Sequence, residues 1–287
     1  MNPIGANSWI WVSPLSDERL AALAPRVRGF GFDGIELPIE NPGDWDPGRS
    51  REVLAAQGLS ATTCAVMSPD RDLSSADRGV VSSTQAYLRS GIEMAAAVGA
   101  RTFAGPIYSP VGKTWAMDSG ERKAAVTTLA ENLRPLADHA GKHGVSLALE
   151  PLNRFETSFM NTAEQVLEVV DLVGSPALGV LLDTFHMNIE ERDPAAAIRA
   201  CGSRLAHFHA CGCDRGAPGG DQIPWPAIAT ALADVDYRGA IVIESFTIEN
   251  QAIARAAAIW RPLASNQDAI ATEGLSFLRG LLANAPS

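Results

Sequence analysis

Short apolar runs alternate with stretches of helical length from one end of the sequence to the other, eight times over. The apolar runs fall at 4–11, 34–37, 59–66, 101–105, 145–150, 178–183, 204–209 and 240–244. Helical patterns lie between them, among others at 16–28, 82–98, 120–143, 162–172, 194–201 and 226–233. Strands separated by helices of this size imply parallel βαβ units. Eight such units predict an α/β fold closed into a (β/α)₈ TIM barrel, although an open doubly wound sheet gives the same alternation. No Pro/Gly/Ser linker, charge run or low-complexity segment interrupts the series. A barrel needs about 250 residues, so residues 1–287 are expected to form a single domain. The stretch 250–283 reads as the eighth barrel helix with a C-terminal helical extension.

Glycines punctuate the joints. Gly29-Phe-Gly-Phe-Asp-Gly34, Val98-Gly-Ala-Arg101, Lys142-His-Gly144 and Tyr237-Arg-Gly239 each put glycine between a helix and the next strand, where a left-handed cap is needed. None forms the G-x-G-x-x-G that opens a phosphate-binding helix.

Bulk composition excludes several classes. A net charge of −10 argues against a nucleic-acid partner, which demands clustered Lys and Arg. No run of 18 or more apolar residues is present to span a membrane. The first residues lack a basic segment followed by an apolar one, so no signal peptide is expected. Four cysteines, with Cys211 and Cys213 in a lone C-x-C, read as reduced thiols of a cytoplasmic protein.

The chemistry concentrates at strand ends. Four successive runs finish on a potential metal ligand: Glu150, Asp183, His209 and Glu244, separated by 33, 26 and 35 residues. In a parallel barrel those ends share one rim, the face on which barrel active sites are built. Period-two alternation puts Glu150 with Ser146 and Ala148, Asp183 with Gly179 and Leu181, and Glu244 with Ala240 and Val242. All four side chains can therefore converge on the axis. Three converging carboxylates repel unless a cation joins them, and with one imidazole they suit a hard or borderline divalent ion. One ion per chain is expected, Mn²⁺ ahead of Mg²⁺ or Co²⁺. His207, two residues deeper than His209, reads as a core or supporting histidine, while His139 and His143 read as solvated.

Two motifs carry a family resemblance. Glu150-Pro-Leu-Asn-Arg-Phe-Glu156 and Leu182-Asp-Thr-Phe-His-Met-Asn188 resemble the ketose 3-epimerases, the D-tagatose, D-psicose and L-ribulose 3-epimerase group of the xylose-isomerase-like barrels. The tail, with Trp260-Arg-Pro-Leu-Ala and Glu273-Gly-Leu-Ser-Phe-Leu-Arg279, is similar as well. The resemblance implies that Glu150, Asp183, His209 and Glu244 hold the metal, with Glu150 and Glu244 as the acid/base pair. It implies further that Glu156, His186 and Arg215 bind the first oxygens of a sugar. The far end of the sugar would meet the segments 9–11, 63–66 and 109–115, with Trp115 and Phe246 as candidate walls. Relatives of this kind are commonly dimers or tetramers.

The reaction so implied is epimerisation of a free ketose at C3 through an enediolate, one glutamate removing a proton and the other returning one to the opposite face. An aldose–ketose or inosose isomerase would use the same site in another register. A C-glycoside-cleaving lyase would need room for a bulky aglycone. A metal-dependent endonuclease on this barrel would need more than five histidines and a basic face. A non-catalytic sugar-binding barrel would bind without turnover.

Overall fold

The structure, a computed structural model, describes residues 2–284. In chain order its elements are β1 (Ile4–Asn7), a 3-10 turn (Ser8–Ile10), α1 (Asp17–Phe30), β2 (Gly34–Pro38), α2 (Pro47–Gln57), β3 (Ser60–Cys64), α3 (Arg78–Val98) and β4 (Thr102–Gly105). There follow α4 (Ser119–Lys142), β5 (Ser146–Leu149), α5 (Ala163–Val173), β6 (Leu178–Asp183), α6 (Thr184–Glu190), α7 (Pro194–Cys201) and a second 3-10 turn (Gly202–Arg204). The chain ends with β7 (Leu205–Ala210), α8 (Trp225–Asp234), β8 (Ile241–Ile243), α9 (Gln251–Ala256) and α10 (Gln267–Ala283). The eight strands pair in sequence order, and β8 pairs with β1 through Ile4↔Ile241, so the sheet closes. Closure excludes the open sheet. No described helix is long and apolar enough to cross a membrane.

Local chemistry sets the ends of these elements. Asn7 stops β1 early: its side chain accepts from the Trp9 N–H and turns the chain into Ser8–Ile10, so residues 8–11, expected in the strand, lie outside it. Ser16, Asp46, Asp77, Asp118, Thr162 and Asn266 cap their helices by accepting from backbone N–H groups that lack a partner inside the helix. Gly31, Gly99 and Gly144 take positive φ after their helices as expected. Before β8 the left-handed residue is Asp236 and not Gly239. The helical tail comes in two pieces, α9 and α10, with α10 packed against β1, β8 and α8.

The main apolar core lies between sheet and helices, and includes Val180, Leu182, Leu205, Phe208 and Ala210. Inside the barrel Ala104, Ala148 and Leu181, with Ala206 against them, form a separate small apolar cluster. The β6–β7 register slips between Val180 and Leu181, pairing Val180 with Leu205 but Leu181 with His207. This bulge leaves Ala206 over and brings His207 and His209 onto the inward face with Leu181. Gly179 makes room for it: a Cβ there would stand 2.8 Å from Ala206 Cβ and 2.5 Å from Arg204 O.

Candidate active site

The strand-end reading holds to within one residue. Asp183 is the last residue of β6, Glu150 and Glu244 immediately follow β5 and β8, and His209 is the penultimate residue of β7. Asp183 pairs with His209, and His209 with Val242. One ligand atom from each of Glu150, Asp183, His209 and Glu244 lies within 4.8 Å of the other three, and all four residues are buried. Asp183 also caps α6 by accepting from the Phe185 N–H. That bond occupies one carboxylate oxygen, and Arg215 reaches the other.

Two atoms decide whether a cation fits. Glu150 Oε1 and His209 Nδ1 are buried without any hydrogen-bond partner. Such groups cost about 1–3 kcal/mol each when left unpaired, so they mark a place where a ligand belongs. Three carboxylates and one imidazole within bonding reach of a common centre fit a divalent ion.

Around this mouth stand the other expected residues. Arg215 Nη1 donates to Asp183 Oδ2 at 2.8 Å and to Glu244 Oε2 at 3.3 Å. Its guanidinium lies over Phe185 at 4.1 Å and Phe246 at 5.1 Å. The backbone of Arg215 has φ 69°, a left-handed conformation unfavourable to a side chain. The turn holds it there through Arg215 N–H to Gly212 O and Phe246 N–H to Arg215 O. His186 Nε2 lies 3.0 Å from Arg215 Nη2 and 3.7 Å from Glu150 Oε1, while its Nδ1 faces the Asn153 N–H at 3.0 Å. A neutral imidazole accepts at one nitrogen only, so His186 cannot satisfy both donors. Glu156 accepts from Asn153 Nδ2 at 2.8 Å and lies 3.8 Å from Arg215.

Trp115 sits one layer further out. It packs on Phe159 (5.7 Å between ring centres), which packs on Tyr108, whose hydroxyl donates to Glu150 O at 3.0 Å. Phe246 is buried with Trp9, Cys64, Ala254 and Ile259, which joins this candidate wall to two of the three segments expected to meet a sugar's far end, 9–11 and 63–66.

Beneath the mouth His207 is buried as the supporting histidine expected, but sequence reading missed the acid it meets. Glu36, in β2, is wholly buried. It accepts from His207 Nε2 at 2.8 Å, Thr62 Oγ1 at 3.0 Å and Asn7 Nδ2 at 2.9 Å. His209 Nε2 lies 2.9 Å from Glu36 Oε2, though out of line for a hydrogen bond. The signal was an acid inside the apolar run 34–37, two residues from Gly34 and so on the same face.

Electrostatics separates the two glutamates. Burial pushes the Glu150 carboxyl well above the usual range, and the Glu244 charge adds to it. Burial also raises Asp183, to about 6, with Glu244 adding and Arg215 opposing. At Glu244 burial is outweighed by the neighbouring His209 charge and by Arg215, which hold it below the usual range. For His209 burial disfavours the imidazolium, yet Glu36 and Glu244 reverse this and raise it well above ordinary histidine. Burial, then the Arg215 charge, keep His186 neutral. A divalent charge at the centre would favour ionised carboxylates throughout.

A closed barrel with a buried acid-and-imidazole centre at its C-terminal mouth defines a class of small-molecule barrel enzyme. The chain belongs to the xylose isomerase-like TIM barrel family, which it matches over residues 25–281. Among its relatives is a Synechocystis protein named "Probable ketose 3-epimerase", 35% identical over 96% of this chain and 95% of that one. The ketose 3-epimerase of Arthrobacter globiformis is 31% identical, over 97% and 96%. The crystal structure of a D-allulose 3-epimerase from Methylomonas sp. in complex with D-allulose superimposes with a TM-score of 0.90 at 28% identity, covering 97% and 96%.

Proposed function

We propose that the chain is a divalent-metal-dependent ketose 3-epimerase acting on free sugars, with Mn²⁺ as its ion. The observation that carries the reading is the buried quartet of Glu150, Asp183, His209 and Glu244, with unpaired Glu150 Oε1 and His209 Nδ1 turned into a site that fits a cation. Relatives named for this activity match the chain from end to end, which supports the choice of reaction.

When bound, the ion would polarise the sugar's carbonyl and stabilise the negative charge that develops on its oxygen. The protein's own residues do the rest. Glu150 and Glu244 come from strands three positions apart around the barrel and address opposite faces of C3. One takes the C3 proton and the other delivers a proton to the opposite face, and the roles exchange with the entering epimer. Arg215, His186 and Glu156 bind the oxygens of the sugar's first carbons. The competing demands on His186 favour this, because a ligand oxygen can take over the Arg215 contact. Phe246 closes the apolar side, with Trp115 one layer further out behind Phe159.

The test is exchange in D₂O with Mn²⁺ and D-allulose or D-fructose, read by NMR. Interconversion with deuterium entering at C3 is expected. Label at C1 would move the reading to an aldose–ketose isomerase, and absence of label would defeat both.

A further inference from the structure

The chain contains five histidines, and three of them, His186, His207 and His209, are buried in the barrel. The other two lie elsewhere. His139 is in the last turn of α4 and His143 caps that helix, four residues on. At that spacing both rings stand on one face, one above the other, with centres 4.3 Å apart. Across from them, on α3, Glu93 brings Oε1 to 3.2 Å from His139 Nε2. One ligand atom from each of Glu93, His139 and His143 lies within 4.8 Å of the other two.

We propose that these three side chains form a second metal site, for a zinc-class ion (Zn²⁺, Ni²⁺ or Cu²⁺), which fastens α3 to α4. The donor set separates it from the mouth: two imidazoles and one carboxylate select borderline ions, whereas three carboxylates and one imidazole select harder ones. His143 is already oriented for the task. Its Nδ1 lies 2.9 Å from the backbone oxygen of His139. A carbonyl only accepts, so Nδ1 carries the proton and Nε2 keeps its lone pair, as metal-binding histidines are commonly arranged. The last carbonyls of α4 add negative potential at the same place. Ligand atoms of a tetrahedral ion at about 2.0–2.1 Å stand about 3.4 Å apart, so side-chain rotation suffices to close the site around it. Water completes the coordination.

Barrel helices run antiparallel to the strands, so the ends of α3 and α4 lie at the barrel face opposite the mouth. An ion held there fixes the helix ring without touching the reaction. An ion pair between Glu93 and His139 alone would hold no metal, and experiment separates the two.

The untagged, full-length chain is passed over immobilised Ni²⁺. A resin-bound ion cannot reach the three histidines inside the barrel, so only His139 and His143 can retain the protein. Retention with elution by imidazole is expected for the intact chain and for Cys213→Ser. The His139→Ala/His143→Ala variant should flow through with unchanged sugar turnover. In solution with the mouth saturated by Mn²⁺, Zn²⁺ at about 100 times its Kd should raise Tm by about 5–10 °C in the intact chain and not in the double variant. Flow-through of the intact chain, or equal retention of the variant, overturns the site.

Discussion

Two acid-and-imidazole clusters meet at His209, and they differ in how far their bonding is complete. Beneath it, Glu36 is enclosed by Thr62, His207 and Asn7, each at 3.0 Å or less. Above it, Glu150 Oε1 and His209 Nδ1 have no partner at all. Both clusters are buried, so exposure does not explain the difference. An unpaired polar atom in a dry interior is costly, and folding alone gives no reason to keep one. The closed network therefore reads as a frame, and the open one as the place the frame serves. Burial alone would have marked both as sites; the bare carboxylate oxygen of Glu150 singles out one, since the other unpartnered nitrogen, His209 Nε2, faces the Glu36 carboxylate at 2.9 Å.

The largest break in this comparison comes from the open cluster. Glu150→Gln and Glu244→Gln keep the side-chain shape but remove the proton carrier. Each should lower turnover by about 10²–10⁴-fold, measured by polarimetry with Mn²⁺ and a free ketose. Circular dichroism should show the fold intact. Chelation should abolish turnover reversibly, with Mn²⁺ restoring it. Substantial activity in either glutamine variant ends the two-base scheme.

Glu36→Gln attacks the closed cluster. Its amide offers one accepting oxygen where the carboxylate offered two, so Asn7, Thr62 and His207 can no longer all be satisfied. The charge facing His209 Nε2 also disappears. The expected result is Mn²⁺ affinity weakened about 10–100-fold, read by EPR titration, which a purely architectural role would not produce. Unchanged affinity would reduce Glu36 to scaffold.

Arg215→Lys probes the seam between mouth and substrate. Lysine keeps the charge but loses the planar fork that reaches Asp183, Glu244 and His186 together. KM should rise about tenfold or more, the cost of one charged hydrogen bond, with Mn²⁺ affinity nearly unchanged. A loss confined to metal affinity would instead make Arg215 part of the ion's frame.

The mouth was legible in sequence because strand ends are periodic and acids there break an apolar run. The frame was not. Glu36 and His207 are 171 residues apart and meet only because the barrel closes across its interior. Alternation gives such an acid a face but cannot say whether that face is dry. The bulge that leaves Ala206 over is equally silent, since one extra residue in a six-residue strand changes no composition. Helix α6 went unread because Asp183 serves at once as strand end and helix cap. Glu150, Asp183, His209 and Glu244 needed only local pattern plus one topology. Asn7, Thr62 and Glu36 needed the packed structure.

The finest test of the frame removes one of its bonds. Thr62 Oγ1 donates to Glu36 Oε1, the oxygen that also accepts from His207. Thr62→Val keeps the shape and deletes the donor, while His207 keeps that oxygen occupied. The loss should therefore be that of one ordinary hydrogen bond, about 0.5–1.5 kcal/mol, or about 2–4 °C in Tm per kcal/mol. Turnover and Mn²⁺ affinity should change less than about twofold, since His209 still faces an intact carboxylate. A drop in metal affinity as large as that of Glu36→Gln would mean that the network acts as one unit and that its members cannot be weighed separately.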